Sequence, residues 1–274
     1  MEWAARHLAG RLPFRDASRV DGVAPSILRA ADRARRLPRL GGMARPNGVV
    51  IASERFWAFA GVDGSLAEGE MPPAPGLLRR VPLLRGLVRL GAALSPLARR
   101  RGVVGGRERI FLAAVVVASF VFFVLPEGYE LAAGIGLSLA MIGWLFRGRT
   151  LHLHGAEHRA IRAVEDRLLE ATWRGALRPS RFAARCGTNF AALVLPVAAI
   201  AERIWPLPAA AIALLSLALT MELWLAIEGS RRRIARAFLT PGLLLQRLTT
   251  REPTLAETRV ALRATESVLR RELA

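Results

Sequence analysis

Four long apolar stretches constrain this chain more than anything else in it: residues 110–125, 131–146, 190–204 and 207–227. They pair around two breaks, Pro126-Glu127-Gly128-Tyr129-Glu130 and Trp205-Pro206. A backbone inside hydrocarbon has no water to satisfy its N–H and C=O groups, so only helices and closed barrels cross a bilayer. Continuous apolar runs without period-two alternation fit helices. The first two runs are each somewhat short of the roughly 20 residues that a span needs. Arg109 and Arg147 can snorkel, however, and Tyr129 and Trp144 suit the interfaces. The expected fold is therefore mainly α: a polytopic helical membrane protein with about four transmembrane helices in two hairpins, the third helix interrupted at Pro196. Pairs of buried soluble helices are the weaker alternative.

Composition agrees with a membrane setting. Of the 274 residues 53% are hydrophobic, and the mean hydropathy is +0.30. All forty basic residues are arginine, which excludes lysine Schiff-base chemistry and a lysine general base. Nine arginines fall between Arg79 and Arg109, nine more between Arg147 and Arg185, and Arg231, Arg232, Arg233 and Arg236 follow the last apolar stretch. The first break has none. The positive-inside rule then gives a multi-pass inner-membrane protein with both termini and the segment 147–189 in the cytoplasm. The net charge of +18 makes anionic headgroups the expected partners. Nucleic acid is not expected, because the aromatics are not interleaved with the arginines. A protein partner or a homo-oligomer stays open. Cys186 is the single cysteine, so no internal disulfide can form, and the first residues lack the pattern of a cleaved signal peptide.

Around the spans, residues 1–40 form a basic segment of helical composition, and 41–75 read as a small β-rich element and linker. Val49, Val50 and Ile51, then Phe56, Trp57 and Phe59, are strand-prone, with Asp63-Gly64 as a turn. Residues 76–109 suggest an interfacial amphipathic helix. A four-helix membrane domain, 110–228, includes the cytoplasmic segment 147–189. In the C-terminal segment, 229–274, Thr254 and Glu257 have capping-box spacing ahead of an amphipathic helix.

Polar chemistry concentrates in one place. Three of the four histidines lie in Leu151-His152-Leu153-His154-Gly155-Ala156-Glu157-His158. On a helix His154 and His158 share a face, and His-x-x-Glu-His is the inverted zinc-hydrolase order. His154 and His158 are thus candidate ligands of a divalent metal, zinc first, with Glu157 as general base or as a hydrogen-bond partner behind the ligands. Further ligands could come from Glu165, seven residues after His158, from Cys186 just before the third stretch, and from Glu222 near the inner end of the fourth. The competing reading is a hydrogen-bonded cluster of the histidines with Glu157 and Glu222, or imidazoles resting among headgroups, with Cys186 as a small buried side chain.

Three motifs, His154-Gly155-Ala156-Glu157-His158, Arg185-Cys186-Gly187-Thr188 and the run from Pro241 to Pro253, resemble the signatures of the YqhQ-like bacterial membrane proteins. The likeness extends from about Gly41 to the C-terminus. It implies a domain of unknown function, sometimes described as a metal-dependent enzyme. Two positions depart from that pattern: Ala183 and Ala184 replace a His-Pro pair, and Asn47 replaces an acid. Three functions follow as expectations: a metal-dependent hydrolase at the membrane, a noncatalytic scaffold or regulator holding a partner through its basic surface, and, third, a transporter using Glu222 and Glu202.

Overall fold

A computed structural model describes residues 24–72, 81–98, 129–145, 147–230 and 237–274, with isolated positions between 110 and 117. After helix α1 (Ala24–Arg33) the chain forms a four-stranded antiparallel meander: β1 (Gly41–Arg45), β2 (Gly48–Ala52), β3 (Phe56–Gly61) and β4 (Leu66–Glu70). Strand alternation sorts the apolar residues between two faces. Val49, Ile51, Ala58 and Ala60 enter the main core, while Val50, Trp57 and Phe59 form a smaller cluster of their own. The expected turn is present: Gly64 adopts φ 87°, and Asp63 Oδ1 accepts from the Ser65 N–H and hydroxyl.

Two helices from the other half of the chain, α4 (Thr150–Asp166) and α9 (Leu255–Leu273), pack on this sheet and on each other. Leu153, Leu262 and Leu269 are fully buried there together with Leu28 of α1. The capping box opens α9 as anticipated, with the Thr254 hydroxyl accepting from Glu257 N–H and the Glu257 carboxylate from Thr254 N–H. The short helix α5 (Leu169–Trp173) is tied to α1, because Asp32 accepts the N–H groups of Leu169 and Glu170 at its start. The β element and the C-terminal helix, which read in sequence as separate segments, therefore share one core.

The second region is helical throughout. Helices α6 (Gly187–Ile204) and α7 (Ala209–Gly229) form a hairpin across residues 205–208. Helix α8 (Thr240–Thr249) lies against α6, and α2 (Leu84–Ala98) lies against α7. Gly86 allows the latter approach: a Cβ there would come 2.4 Å from Met221 Cβ. Helix α2, within the segment expected to be an interfacial amphipathic helix, is thus packed on α7.

Among the described residues two helices, not four, are long and apolar enough to cross a membrane, within Gly187–Ile204 and Ala210–Ile227. The first stretch, 110–125, falls largely outside the described residues. The second forms α3 (Glu130–Leu145), whose 16 residues would rise only about 24 Å against a hydrocarbon core of about 30 Å. In the two candidate spans only 17% and 22% of the residues are buried within the protein.

Candidate metal centre

The site is assembled where the two regions meet. Helix α4 puts His154 and His158 on one face, their ring centroids 4.4 Å apart with 65° between the planes. His154 Nδ1 lies 2.8 Å from the Thr249 carbonyl, at the end of α8, and His158 Nδ1 lies 2.7 Å from the Arg181 carbonyl, in the loop before α6. A carbonyl oxygen only accepts, so each Nδ1 must carry a proton, which in the neutral ring leaves the lone pair on Nε2. Metal-binding imidazoles are oriented in this way. His154 Nε2 is 3.3 Å from Cys186 Sγ. His158 Nε2 is buried and has no hydrogen-bond partner.

Cys186 caps α6, where its sulfur accepts the Thr188 N–H at 3.4 Å and lies 3.3 Å from the Thr188 hydroxyl. The ligand atoms of His154, His158 and Cys186 all lie within 4.8 Å of one another, a group that could hold a metal ion. Around tetrahedral zinc, with bonds of about 2.0–2.3 Å, neighbouring donors sit roughly 3.4–3.6 Å apart. The measured S–N separation is close to that, and an orphaned buried nitrogen is what a missing ligand partner would leave. The residues therefore fit a metal.

Polar contacts lock the loops that supply these atoms. Arg181 donates to the Thr250 carbonyl and hydroxyl, at 2.7 and 2.8 Å. Gln246, fully buried on α8, accepts from Ala183 N–H and donates to the Ala183 carbonyl and to Asn189 Oδ1. Asn189 in turn donates to the carbonyls of Ala183 and Ala184. Gly242 lets α8 approach this amide, since a Cβ there would stand 2.1 Å from Asn189 Oδ1. Gly155 serves α4 likewise: an added Cβ would meet the Arg251 carbonyl at 2.2 Å. Arg159, on the same helix, is buried and bonds the carbonyls of Pro179 and Pro253 and the carboxylate of Glu252.

The other candidates are placed differently. Glu157 turns from the imidazoles toward β1, beneath Gly42, whose missing side chain leaves room for the carboxyl group. Burial pushes its pKa up to about 7, against the opposing pull of His154 and of the Ala44 N–H. Glu165 does not join the cluster; it pairs with Arg185 and Arg162, and so holds the residue next to Cys186. Glu222 is likewise taken elsewhere, by the Arg85 guanidinium and the Leu83 N–H. A carboxylate on an apolar helix needs a compensating cation, and α2 supplies one. Residues absent from the sequence-based set, Arg181, Gln246, Asn189 and Thr249, turn out to orient the ligands. Their only trace in sequence is that Gln246 and Thr249 fall within the run from Pro241 to Pro253 and Asn189 directly follows Arg185-Cys186-Gly187-Thr188.

The three candidate ligands fall within one stretch that a family model matches. A DUF1385 domain, of unknown function, matches residues 138–271. This domain contains His154, His158, Cys186 and the whole of α8, and excludes the sheet beneath Glu157. Neither the curated proteins nor the solved structures provide a match to the chain.

Proposed function

We propose that this chain is an integral membrane metalloprotein whose His154, His158 and Cys186 hold a divalent ion at the cytoplasmic face and whose reaction is a hydrolysis. One observation carries the metal: the buried, partnerless Nε2 of His158 beside a second imidazole and a thiol, with both Nδ1 atoms already committed to carbonyls. Two imidazoles and one sulfur suit zinc, and three protein ligands leave a fourth position for water. When bound, such an ion supplies an activated water near neutral pH. Within the chain, the Thr249 and Arg181 carbonyls hold the two rings, and Glu157, which faces β1 rather than the ligand atoms, keeps a proton up to about pH 7 within electrostatic reach of His154. The low burial of α6 and α7 supports a membrane location. The arginines that flank the α6–α7 hairpin support its two ends lying on the cytoplasmic side.

The test begins with full-length protein purified from membranes without added metal. Elemental analysis should find stoichiometric metal that is lost in His154→Ala and His158→Ala. Metal-free protein whose unfolding ignores both changes and a chelator would remove the site. Zinc-loaded protein should then hydrolyse a panel of chromogenic carboxyl and phosphate esters, and Glu157→Gln should slow it while metal content is kept. Inertness of the loaded protein on that panel would count against hydrolysis alone, and extraction by alkaline carbonate would count against membrane integration alone.

A further inference from the structure

A cavity of about 360 Å³ opens beside the metal centre, between the end of α7, the start of α8 and the loops on either side. Its polar wall is made by Arg39, Arg185 and Ser230, and its apolar wall by Trp224, Ile227 and Leu243. The volume falls within the range of small-molecule sites. No residue in it is a candidate metal ligand.

Two features fix the kind of molecule that fits. The first is position. Ile227 ends the apolar window of α7 and Trp224 lies one turn inside it, so the cavity straddles the point where the hydrophobic run stops and arginine begins. Beyond Ser230 the sequence continues Arg231-Arg232-Arg233. The second is the neighbouring helix. Leu239 and Leu243 face the cavity, whereas Phe238, Leu244, Leu245 and Leu248 are 40–60% exposed on α8 and just before it. A short helix with that face lies flat in a headgroup layer. A guanidinium pair above an aromatic and aliphatic wall, at this depth, matches the join between a phosphate and its acyl chains. The C-terminal end of α7 contributes about half a negative charge, and Glu165 pairs with Arg185, but the two guanidiniums of the wall outweigh them.

We propose that this cavity binds one anionic phospholipid, with its phosphate against Arg39 and Arg185 and its acyl chains along Trp224 and Ile227. The proposal rests on the membrane reading of α6 and α7 and not on the metal. The experiment uses full-length protein in a non-ionic detergent, titrated with short-chain phosphatidylglycerol, with phosphatidylcholine of equal chain length, and with inorganic phosphate, while thermal unfolding is followed. Phosphatidylglycerol should raise the melting temperature by several degrees, and the other two should leave it unchanged. Arg39→Gln should weaken the response about tenfold, a loss of about 1.4 kcal/mol, and Arg39→Lys should restore most of it. Arg29→Gln, which breaks a surface pair with Glu170, should respond like the native protein. Leu243→Trp, which fills the apolar half, should abolish the response and stands in should Arg39→Gln fail to fold. Equal shifts with both lipids, a native response in Arg39→Gln, or an equal shift with inorganic phosphate would each overturn the proposal. Metal content, measured in parallel, keeps this outcome separate from that of the zinc site.

Discussion

The sheet-and-helix region and the apolar hairpin have similarly leucine-rich helices but use them in opposite ways. In the first, Leu153, Leu262 and Leu269 are wholly buried, and the helices bring buried arginine and threonine side chains onto backbone carbonyls. In the second, Leu195 is 73% exposed and Leu214 59%, and the one acidic side chain of α7 that is placed, Glu222, is neutralised by a partner from α2. Burial inside protein stabilises the first region, and the second presents its side chains to whatever solvent surrounds it. For the hairpin that solvent is lipid under the reading proposed here, since an apolar surface of this extent is rare on soluble monomers.

Four changes would sharpen or break this contrast. Leu262→Ala empties a fully buried position and should cost about 2–5 kcal/mol in chemical denaturation. A smaller loss would mean that α9 is not the core element. The next effect in size depends on pH. Glu157 has a folded-state pKa near 7 against an ordinary 4.5, so the folded protein binds the extra proton between those values. Its stabilising contribution is complete below about pH 4.5 and lost as the pH rises through 7, a difference of a few kcal/mol. Metal-free protein should therefore melt progressively lower from pH 5 to pH 8, and Glu157→Gln should flatten that slope. A variant whose slope matches the native one would place the carboxyl group in water.

Gly155→Ala comes third. The new methyl group would press on the Arg251 carbonyl, at a cost of about 1–3 kcal/mol partly offset by better helix propensity. Because the same segment carries Thr249, zinc affinity should fall with stability. Unchanged affinity would separate the glycine contact from the site. Last, Leu195→Ala should change stability in detergent by less than about 0.5 kcal/mol, as at other exposed positions. A loss comparable to that of Leu262→Ala would show the hairpin to be buried against another protein surface.

Much of this was readable from residues in order. The strands and their turn at Asp63-Gly64, the capping box at Thr254, the hairpin around Trp205-Pro206 and the shared face of His154 and His158 all rest on local periods and local hydrogen bonds. The span count was less secure. Hydropathy reports composition, and α3 is apolar enough but shorter than the hydrocarbon it would cross. Glu165 and Glu222 looked like possible ligands because spacing and depth alone do not say which arginine is nearer; Arg185 and Arg85 are.

What the sequence determined by itself was where the long apolar helices lie and which helix carries the imidazoles, because both follow from neighbours within a few residues. Only the tertiary structure decided that Cys186 completes the group, that the carbonyls of Thr249 and Arg181 fix its tautomers, and that Glu157 faces β1. Those contacts join segments tens of residues apart, and they depend on Gly155 and Gly242 allowing backbones to touch. Such closeness is a property of packing, to which no local pattern of residues is sensitive.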